Sequence, residues 1–311
     1  MGQLLKYLIS TCLCTIVLYL ILSFGMAQFY YNGQPFIFIT NNYFTEKGGD
    51  TYARFLEFNE KSASDIIFTG SSRAYRGYDP LIFDEVGVSS FNLGSSAQKM
   101  PNTALIISHL LNSENTSKIV LELYPNGFTD DISQSDFDLI TNVKDDKLAV
   151  KIALKAKDPR LVNTYLTRLL FSGFNSDLPI DNEYVSRGFC KSDSVMSDET
   201  YKDLELKYSK DNSNNFNIQG IRHLDSIANH CKNENIELIL VTSPVSDFYS
   251  QKNHSKLILS IQPILDDYNL RYLDYSQNTN FNTKDDFYDA SHLNYTGVKK
   301  FNEILIKDLG L

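Results

Sequence analysis

Short apolar runs alternate with amphipathic, helix-like segments along most of the chain after residue 60. The runs are almost free of charge, which is typical of strands that are buried on both faces of a parallel sheet. They predict strands at Asp65–Thr69, Val88–Leu93, Ser117–Tyr124, Ile236–Thr242 and Leu270–Tyr275. A helical period, with Thr296 as the N-cap of the last segment, predicts helices at Thr51–Glu60, Asn102–Leu111, Asn217–Asn233, Lys256–Tyr268 and Thr296–Leu309.

Strands that alternate with helices predict an α/β fold, in which helices cover both faces of a mostly parallel sheet. We expect this three-layer α/β/α domain over residues 61–311, after a linker and entry helix at 28–60. A stretch at about 129–215 interrupts the alternation, because it is polar and charged and has helix-like pieces only at Lys147–Lys155 and Leu161–Phe171. We interpret it as an insertion, which is either a lid or docking surface or a solvated decoration.

The segment from Tyr7 to Ala27 carries no charge and is long enough to cross a bilayer as a helix. Lys6 precedes it and no Lys or Arg follows until Lys47, so the positive-inside rule puts the N-terminus in the cytoplasm. A cleaved signal peptide is the alternative, since small residues near its end suit a peptidase. The apolar stretch exceeds a usual signal sequence, so we predict a membrane anchor at 1–27, single-pass in the cytoplasmic membrane, with most of the chain extracytoplasmic.

Two short segments far apart in the sequence carry the residue types of a hydrolase triad. Gly70-Ser71-Ser72 follows the first predicted strand, and Asp289 and His292 follow the last one. Because the carboxyl ends of parallel strands meet at one edge of a sheet, both segments are expected at the same edge. A serine hydroxyl needs a base, and the base needs an orienting carboxylate. We therefore predict Ser72 as nucleophile, His292 as base and Asp289 as its partner.

Acyl transfer also needs hydrogen-bond donors for the oxyanion that develops on the substrate. The backbone N–H groups of Ser72 and Gly94 and the side chain of Asn126 all follow predicted strands at the same edge. Each feature alone has a plainer explanation, since a Gly permits a tight turn and Gly-Ser-Ser after a strand is common. The order of all the pieces together indicates serine acyl chemistry.

Composition excludes some partners. The formal net charge is −9 and no basic cluster is present, which argues against a nucleic-acid partner. No Cys/His spacing fits zinc, so the sequence predicts no metal and no other cofactor. Cys190 and Cys231 are the cysteines outside the apolar segment, and they either form one disulfide or remain two unpaired buried thiols.

The segments IIFTGSSRAYRGYDP, FNLGSSAQ and DDFYDASHLNYTGVKKFNEIL resemble the first, second and last blocks of the SGNH, or GDSL-type, hydrolase superfamily. The resemblance implies a flavodoxin-like fold, with Ser72 as nucleophile, Gly94 as the oxyanion glycine, and Asp289 and His292 as the other triad residues. It runs from residue 66 to about residue 308, apart from the insertion.

The chain departs from the family pattern at two places. Ser71 replaces the Asp that usually precedes the nucleophile, and the third block, normally Gly-x-Asn-Asp, is not recognisable around Asn126. The chain has the sequence Gly-Ser-Ser-Arg after an apolar N-terminal segment. In this it is similar to the membrane-anchored branch of the superfamily, which contains the D-alanyl transfer protein of teichoic acids and, in the same broad grouping, the alginate O-acetylation proteins.

That likeness implies an O-acyltransferase or esterase acting on envelope polysaccharide, with a polytopic membrane O-acyltransferase as partner. Two alternatives stay open. One is a catalytically inactive SGNH-fold scaffold or binding protein in a polysaccharide-modifying complex, and the other is an assembly factor whose insertion docks a membrane partner. The sequence does not discriminate between transferase and hydrolase, since both use the same residues.

Overall fold

The computed structural model describes residues 2–31, 34–36, 48–60, 63–155, 158–171, 180–208 and 219–311. A central sheet contains five strands, labelled here in chain order as β1 (Ser64–Thr69), β2 (Ser90–Asn92), β3 (Thr116–Glu122), β4 (Glu237–Thr242) and β5 (Arg271–Asp274). All neighbours are parallel, in the order β2-β1-β3-β4-β5. This order is the flavodoxin-like one, and the predicted α/β fold is confirmed.

The helices of the described residues are α1 (Gly2–Ala27), α2 (Gly49–Glu60), α3 (Ser72–Gly77), α4 (Pro80–Asp84), α5 (Met100–Leu110), α6 (Gln134–Asn142), α7 (Asp146–Lys155), α8 (Pro159–Phe171), α9 (Asp198–Tyr208), α10 (Ile221–Glu234), α11 (Gln251–Tyr268), α12 (Thr283–Asp286) and α13 (Tyr295–Leu309). Two small antiparallel hairpins pair Tyr30–Tyr31 with Gln34–Pro35 and Tyr184–Ser186 with Phe189–Cys190. A single 3-10 turn follows β3 at Pro125–Phe128.

The sheet is buried on both faces. Side chains alternate along β1, so Ile67 joins one apolar core while Ile66 and Phe68 join the other. Helices α5, α10 and α11 contribute to the first core, and α4 and α13 contribute to the second. Both faces of the central strands are covered and so need apolar side chains. The sequences of these strands are therefore continuous hydrophobic runs, which is why the strands could be predicted.

The last helix begins at Tyr295, and its N-cap is Asn294 rather than the predicted Thr296. The Asn294 side-chain oxygen accepts the Gly297 N–H at 3.0 Å, while its Nδ2 donates to the Asp285 carbonyl at 2.7 Å. An asparagine can cap the helix and bind the preceding loop at the same time, because its carboxamide has both an acceptor and a donor. The prediction of Thr296 as cap was wrong, since that residue already lies within the helix.

Three helices of the insertion predicted at 129–215 pack into the domain. Phe137, Ile140, Leu148, Ile152 and Leu161, from α6, α7 and α8, are fully buried in the same core as Ile67 of β1. These helices are therefore not a solvated decoration. Residues 156–157, 172–179 and 209–215 of this stretch lie outside the described residues.

A hairpin from the insertion closes the β2 edge of the sheet. The Arg187 carbonyl accepts the Asn92 N–H at 2.9 Å, which satisfies a donor that would otherwise be left on the edge strand. Gly188 has φ +80°, and a Cβ on it would lie 2.0 Å from the Asn92 carbonyl oxygen. Only glycine allows the backbone at position 188 to come so close to the Asn92 carbonyl oxygen. The hairpin of the insertion thus contacts the sheet through its backbone.

Cys190 and Cys231 are both buried and free. The Cys190 thiol contacts the Asp50 carboxylate, with Sγ 3.5 Å from Oδ2, whereas Cys231 packs on α10 in the first apolar core. Burial raises the pKa of both thiols to about 12. Of the two possibilities left open by the sequence, the structure has the unpaired thiols.

Helix α1 is long and apolar enough to cross a membrane, a property that it shares with signal sequences. Nearly all of its side chains are exposed, and its buried residues are Ser23 and Ala27 near the end. Most of the predicted linker that follows, at 32–33 and 37–47, lies outside the described residues.

Candidate active site

Ser72 lies where β1 turns abruptly into α3. Gly70 makes this turn with φ +144°, and a Cβ at that position would lie 2.9 Å from the Cβ of Glu122 on the neighbouring strand. The Ser71 side chain then caps α3 by accepting the Arg73 N–H at 3.4 Å. The local sequence thus presents Ser72 as the first residue of a helix at the carboxyl edge of the sheet.

The structure brings Ser72, His292 and Asp289 into one hydrogen-bonded chain. Ser72 Oγ lies 2.7 Å from His292 Nε2, and His292 Nδ1 lies 2.8 and 3.0 Å from the two carboxylate oxygens of Asp289. With its proton on Nδ1, the imidazole donates to Asp289 and leaves Nε2 free to accept the serine proton. The three residues are in the order of a nucleophile, a base and an orienting carboxylate.

The Asp289 carboxylate is held by its own loop. Its Oδ1 accepts the backbone N–H groups of Ser291 and His292 at 2.7 and 2.9 Å. Burial raises the pKa of this carboxyl, but the hydrogen bond and charge of His292 and the two backbone N–H groups lower it by more, so the pKa lies below its usual value. Asp289 is therefore ionised near neutral pH and able to orient the imidazole.

The loop that carries His292 is closed on itself. A β-bridge joins Phe287 to Leu293, and the Tyr288 N–H donates to the His292 carbonyl at 3.2 Å. The Tyr288 ring stacks on the imidazole, with centroids 5.6 Å apart and 12° between the planes. Contacts on both the backbone and the ring restrict the rotation of His292.

The role of a buried arginine beside Ser72, Arg73, was not predicted from the sequence. Its Nε donates to Glu122 Oε1 at 2.9 Å, its Nη1 to the Ser291 carbonyl at 2.9 Å, and its Nη2 to the Ser243 and Pro244 carbonyls at 3.0 and 3.1 Å. Burial lowers the pKa of Arg73, but the charge and hydrogen bond of Glu122, together with Tyr249 and Tyr124, raise it by more, so the guanidinium stays charged. One side chain thus joins the loops that follow β1, β4 and β5 to the end of β3.

Glu122, at the end of β3, is the counterion in this cluster. Besides Arg73 it accepts hydrogen bonds from the Tyr78 hydroxyl and from Ser243, whose Oγ lies 2.8 Å from Oε1. The sequence contained one signal of this pair, namely Glu122 near the end of the apolar run SKIVLELY. A carboxylate in a buried strand requires a buried cation as its partner. The sequence could not identify that cation, which lies 49 positions away.

The predicted oxyanion donors have different surroundings. The Ser72 N–H belongs to the first turn of α3, where the helix itself supplies no acceptor. The Gly94 N–H donates to Asn92 Oδ1 at 3.1 Å, and a Cβ on Gly94 would lie 3.0 Å from the Ser71 carbonyl. Asn126 lines the cavity beside Ser72. Gly94 thus allows the β2–α5 loop to pack against the nucleophile turn while its own N–H is engaged.

A cavity of about 380 Å³ opens over Ser72 and His292, a size within the range of small-molecule sites. Its wall combines an ammonium group, from Lys99, with the aromatic rings of Tyr124 and Tyr208. Burial lowers the pKa of Lys99, whose Nζ donates to the Asn126 carbonyl at 2.7 Å. In the described part of the chain, no group of three or more His, Cys, Asp or Glu side chains is arranged to hold a metal ion.

Comparisons with known proteins find a family model that matches part of the chain, and solved structures that are similar at low sequence identity. One protein-family model matches residues 201–310, less than half of the chain. No curated protein matches the sequence. Among solved structures, the chain is similar to a lipase/acylhydrolase from Enterococcus faecalis, with 13% identity over 78% of this chain and 94% of that one and a TM-score of 0.40.

It is also similar to a GDSL-like lipase from Bacteroides thetaiotaomicron, with 13% identity over 78% of this chain and 86% of that one and a TM-score of 0.39. A third similar structure is a mutant of an acetyl-xylooligosaccharide esterase from Geobacillus, with 10% identity over 80% of this chain and 95% of that one and a TM-score of 0.40. These structural neighbours are lipases, acylhydrolases and esterases, and likeness at this level assigns no activity to the present chain.

Proposed function

We propose that this chain is a serine acyl-transfer enzyme of the SGNH type, an O-acyltransferase or esterase anchored by α1 outside the cytoplasmic membrane. The observation that supports it is the hydrogen-bonded chain from Ser72 Oγ through His292 to Asp289, which opens into a cavity at the carboxyl edge of the sheet. A base within hydrogen-bond reach of a serine, oriented in turn by a carboxylate, is the arrangement that activates a serine hydroxyl.

In the proposed cycle, Ser72 Oγ attacks the carbonyl carbon of an acyl donor while His292 Nε2 takes the hydroxyl proton. The resulting oxyanion accepts hydrogen bonds from the Ser72 N–H and the Asn126 side chain. Collapse of this intermediate breaks the bond to the leaving alcohol, which takes the proton from His292. A water or sugar hydroxyl then attacks the acyl-serine and gives its proton to His292. Cleavage of the bond from Ser72 Oγ to the acyl group leaves that group on the acceptor, and the departing Oγ takes the proton back from His292.

The acceptor that we propose is an envelope polysaccharide, supplied with acyl groups by a polytopic membrane O-acyltransferase. The features that favour a sugar are the aromatic rings of Tyr124 and Tyr208 in the cavity wall, since such rings offer apolar faces for stacking beside polar groups. An enzyme anchored at the membrane by α1 is also well situated to receive an acyl group from a membrane partner.

Labelling with a fluorophosphonate probe tests the proposal on the full-length protein in detergent. We expect labelling of the unmodified protein, its loss in Ser72→Ala, and a rate lower by on the order of 10²-fold or more in His292→Ala. Ser255→Ala is the matched control, because it removes an exposed hydroxyl on α11 away from the cavity and leaves Ser72, so it keeps the label. A folded, unlabelled wild-type protein overturns the proposal.

The second candidate function is a catalytically inactive scaffold or binding protein with the same fold. The observation that favours it is the bond from the Gly94 N–H to Asn92 Oδ1, which occupies one of the expected oxyanion donors. This candidate predicts binding of envelope polysaccharide that is equal in the wild-type protein and in Ser72→Ala, together with no fluorophosphonate labelling of either.

A further inference from the structure

Arg76 lies one turn after Ser72 on α3 and is a cation that the proposed mechanism does not use. Its side chain is 18% exposed, and its Nη1 lies 2.7 Å from Glu183 Oε2. The guanidinium also lies over the rings of Tyr75 and Tyr288, with Cζ 5.5 and 5.6 Å from their centroids. A cation within about 6 Å of a ring centroid is attracted to the face of that ring. Arg76 therefore links Glu183 to Tyr288, which are far apart in the sequence.

Tyr288 lies between Arg76 and the candidate base. Its ring stacks on the His292 imidazole, with centroids 5.6 Å apart and 12° between the planes. The His292 Nε2 in turn lies 2.7 Å from Ser72 Oγ. A series of contacts thus runs from Arg76 through the ring of Tyr288 to the pair of groups that would carry out the reaction.

Glu183 belongs to the insertion and directly precedes its hairpin at Tyr184–Ser186. The Glu183 N–H donates to Asp181 Oδ1 at 3.1 Å, and its carbonyl oxygen accepts the Lys191 N–H at 2.8 Å. The backbone at this position is thus held by two hydrogen bonds. A carboxylate with a fixed backbone can hold a partly buried guanidinium in one place. Through this ion pair the insertion contacts the surroundings of His292.

We propose that Glu183, Arg76 and Tyr288 are positioning residues, through which the insertion keeps the His292 imidazole at the angle that Ser72 requires. The proposal rests on the proposed function, since it takes His292 as the base. Hydrogen bonds at Nδ1 and Nε2 define an axis, about which the imidazole can still tilt. The stacked Tyr288 ring restricts this tilt. The ion pair between Arg76 and Glu183 keeps the guanidinium over that ring.

Rates of fluorophosphonate labelling of the full-length protein in detergent test the proposal. Tyr288→Leu removes the ring and is expected to lower the rate by about 10-fold or more, because small displacements of reacting groups are costly. Tyr288→Phe keeps the ring and is expected to stay within about twofold of the wild type. Arg76→Met is expected to lower the rate by about 3–10-fold. Arg187→Met is the matched control, because it breaks the ion pair of the same hairpin with Asp84, and it leaves the rate unchanged.

The double variant Arg76→Met/Tyr288→Leu separates positioning from general destabilisation. When Arg76 acts through the Tyr288 ring, its loss has no further effect on the rate once the ring is absent. Two independent defects multiply instead, and a multiplied fall in rate overturns the proposal. Glu183→Gln removes the counter-charge of Arg76, so it is expected to lower the rate on the wild-type background and to have no effect on the Tyr288→Leu background. Circular dichroism of each variant checks that the fold is retained.

The nuclear magnetic resonance signal of His292 gives a second readout that does not depend on activity. The chain has five histidines, so labelling with ¹³C at Cε1 gives five signals, and the one lost in His292→Ala is assigned to His292. We expect Arg76→Met to move this signal toward its position in Tyr288→Leu, while Tyr288→Phe and Arg187→Met leave it in place. An unmoved signal in Arg76→Met overturns the positioning role. A wild-type protein that takes no label overturns the proposed function, and the His292 signal then still decides whether Arg76 positions the ring.

Discussion

The Nη1 of Arg73 donates a hydrogen bond to the carbonyl oxygen of Ser291 at 2.9 Å, across 218 positions of sequence. Arg73 directly follows Ser72, and Ser291 directly precedes His292. The bond therefore helps to set the distance between Ser72 and His292 through their immediate neighbours. Arg73 does not contact the reacting atoms, so we regard it as a positioning residue, whose guanidinium nitrogens all donate to groups of the fold.

We expect Arg73→Lys to lower the rate of fluorophosphonate labelling by on the order of 10–100-fold. The lysine ammonium cannot replace the several hydrogen bonds that the planar guanidinium donates in fixed directions. Ser72 and His292 are then displaced slightly, and small displacements of reacting groups lower the rate strongly. Arg54→Lys is the matched control, since Arg54 is a buried arginine that binds the Gly188 carbonyl away from the cavity. It alters stability without slowing the labelling of folded molecules. Equal labelling rates in Arg73→Lys and wild type contradict the positioning role.

The lowered pKa of Asp289 predicts a pH-dependent contribution to stability. A carboxyl whose pKa is lower in the folded state stabilises the fold fully above its unfolded pKa of about 4, and this contribution is lost as the pH falls toward the folded value. The difference in free energy of unfolding between wild type and Asp289→Asn is therefore expected to shrink on acidification. Urea unfolding of both proteins at a series of pH values measures it, and a constant difference contradicts the prediction.

Asn126→Ala is expected to lower the rate of acyl transfer by on the order of 10²-fold if its side chain is an oxyanion donor, as is typical of the loss of one such donor. Asn126→Asp is the matched variant, because a carboxylate keeps the shape of the side chain but cannot donate, and its rate falls at least as far. Initial rates with an activated acyl ester provide the measurement. Unchanged rates in both variants exclude Asn126 from the oxyanion hole.

Gly94→Ala is expected to destabilise the fold by about 1–3 kcal/mol, the usual cost of an added methyl group in a packed site. Its Cβ would lie 3.0 Å from the Ser71 carbonyl and 3.1 Å from the Tyr75 nitrogen, so the nucleophile turn has to move and labelling also slows. At Gly77, in the same region, a Cβ meets nothing within 4 Å. Gly77→Ala is thus tolerated, and urea unfolding of the two variants compares them directly.

Asn294→Ala is expected to cost about 0.5–2 kcal/mol, the range for loss of an N-cap side chain. Thr296→Ala, at the exposed position that the sequence suggested as cap, is expected to change the free energy of unfolding by less than about 0.5 kcal/mol. Thermal unfolding of the two variants is the measurement. A larger loss in Thr296→Ala than in Asn294→Ala would reverse the assignment of the cap.

The residues of the candidate site that sequence analysis identified share a local signal. Ser72 comes three residues after the end of a strand that is free of charge from Ile66 to Thr69, and Asp289 and His292 have the short spacing that allows a contact within one loop. The strand pattern is recognisable because β1, β3 and β4 are covered on both faces, so their central positions are apolar and their polar residues lie near their ends. Local pattern and sheet topology together were therefore enough to predict this edge of the fold.

The parts that were missed depend on distant partners or on very short elements. Arg73 and Glu122 are far apart in the sequence, and neither local sequence indicates which residue is the partner. Helices α3 and α4 are too short for a helical period to emerge from the sequence. The closing hairpin at Arg187 and Gly188 uses backbone contacts with Asn92, which any sequence with a suitable glycine can make.

The hydrogen bond between Ser72 and His292 joins residues 220 positions apart, from the first strand of the sheet to the loop after its last. A ribosome therefore makes Ser72 well before it makes His292. Throughout that interval the serine has no base and is an ordinary alcohol. In the proposed mechanism, activation of Ser72 thus waits until the loop after the last strand has folded, so a chain that stops before His292 carries an unreactive serine.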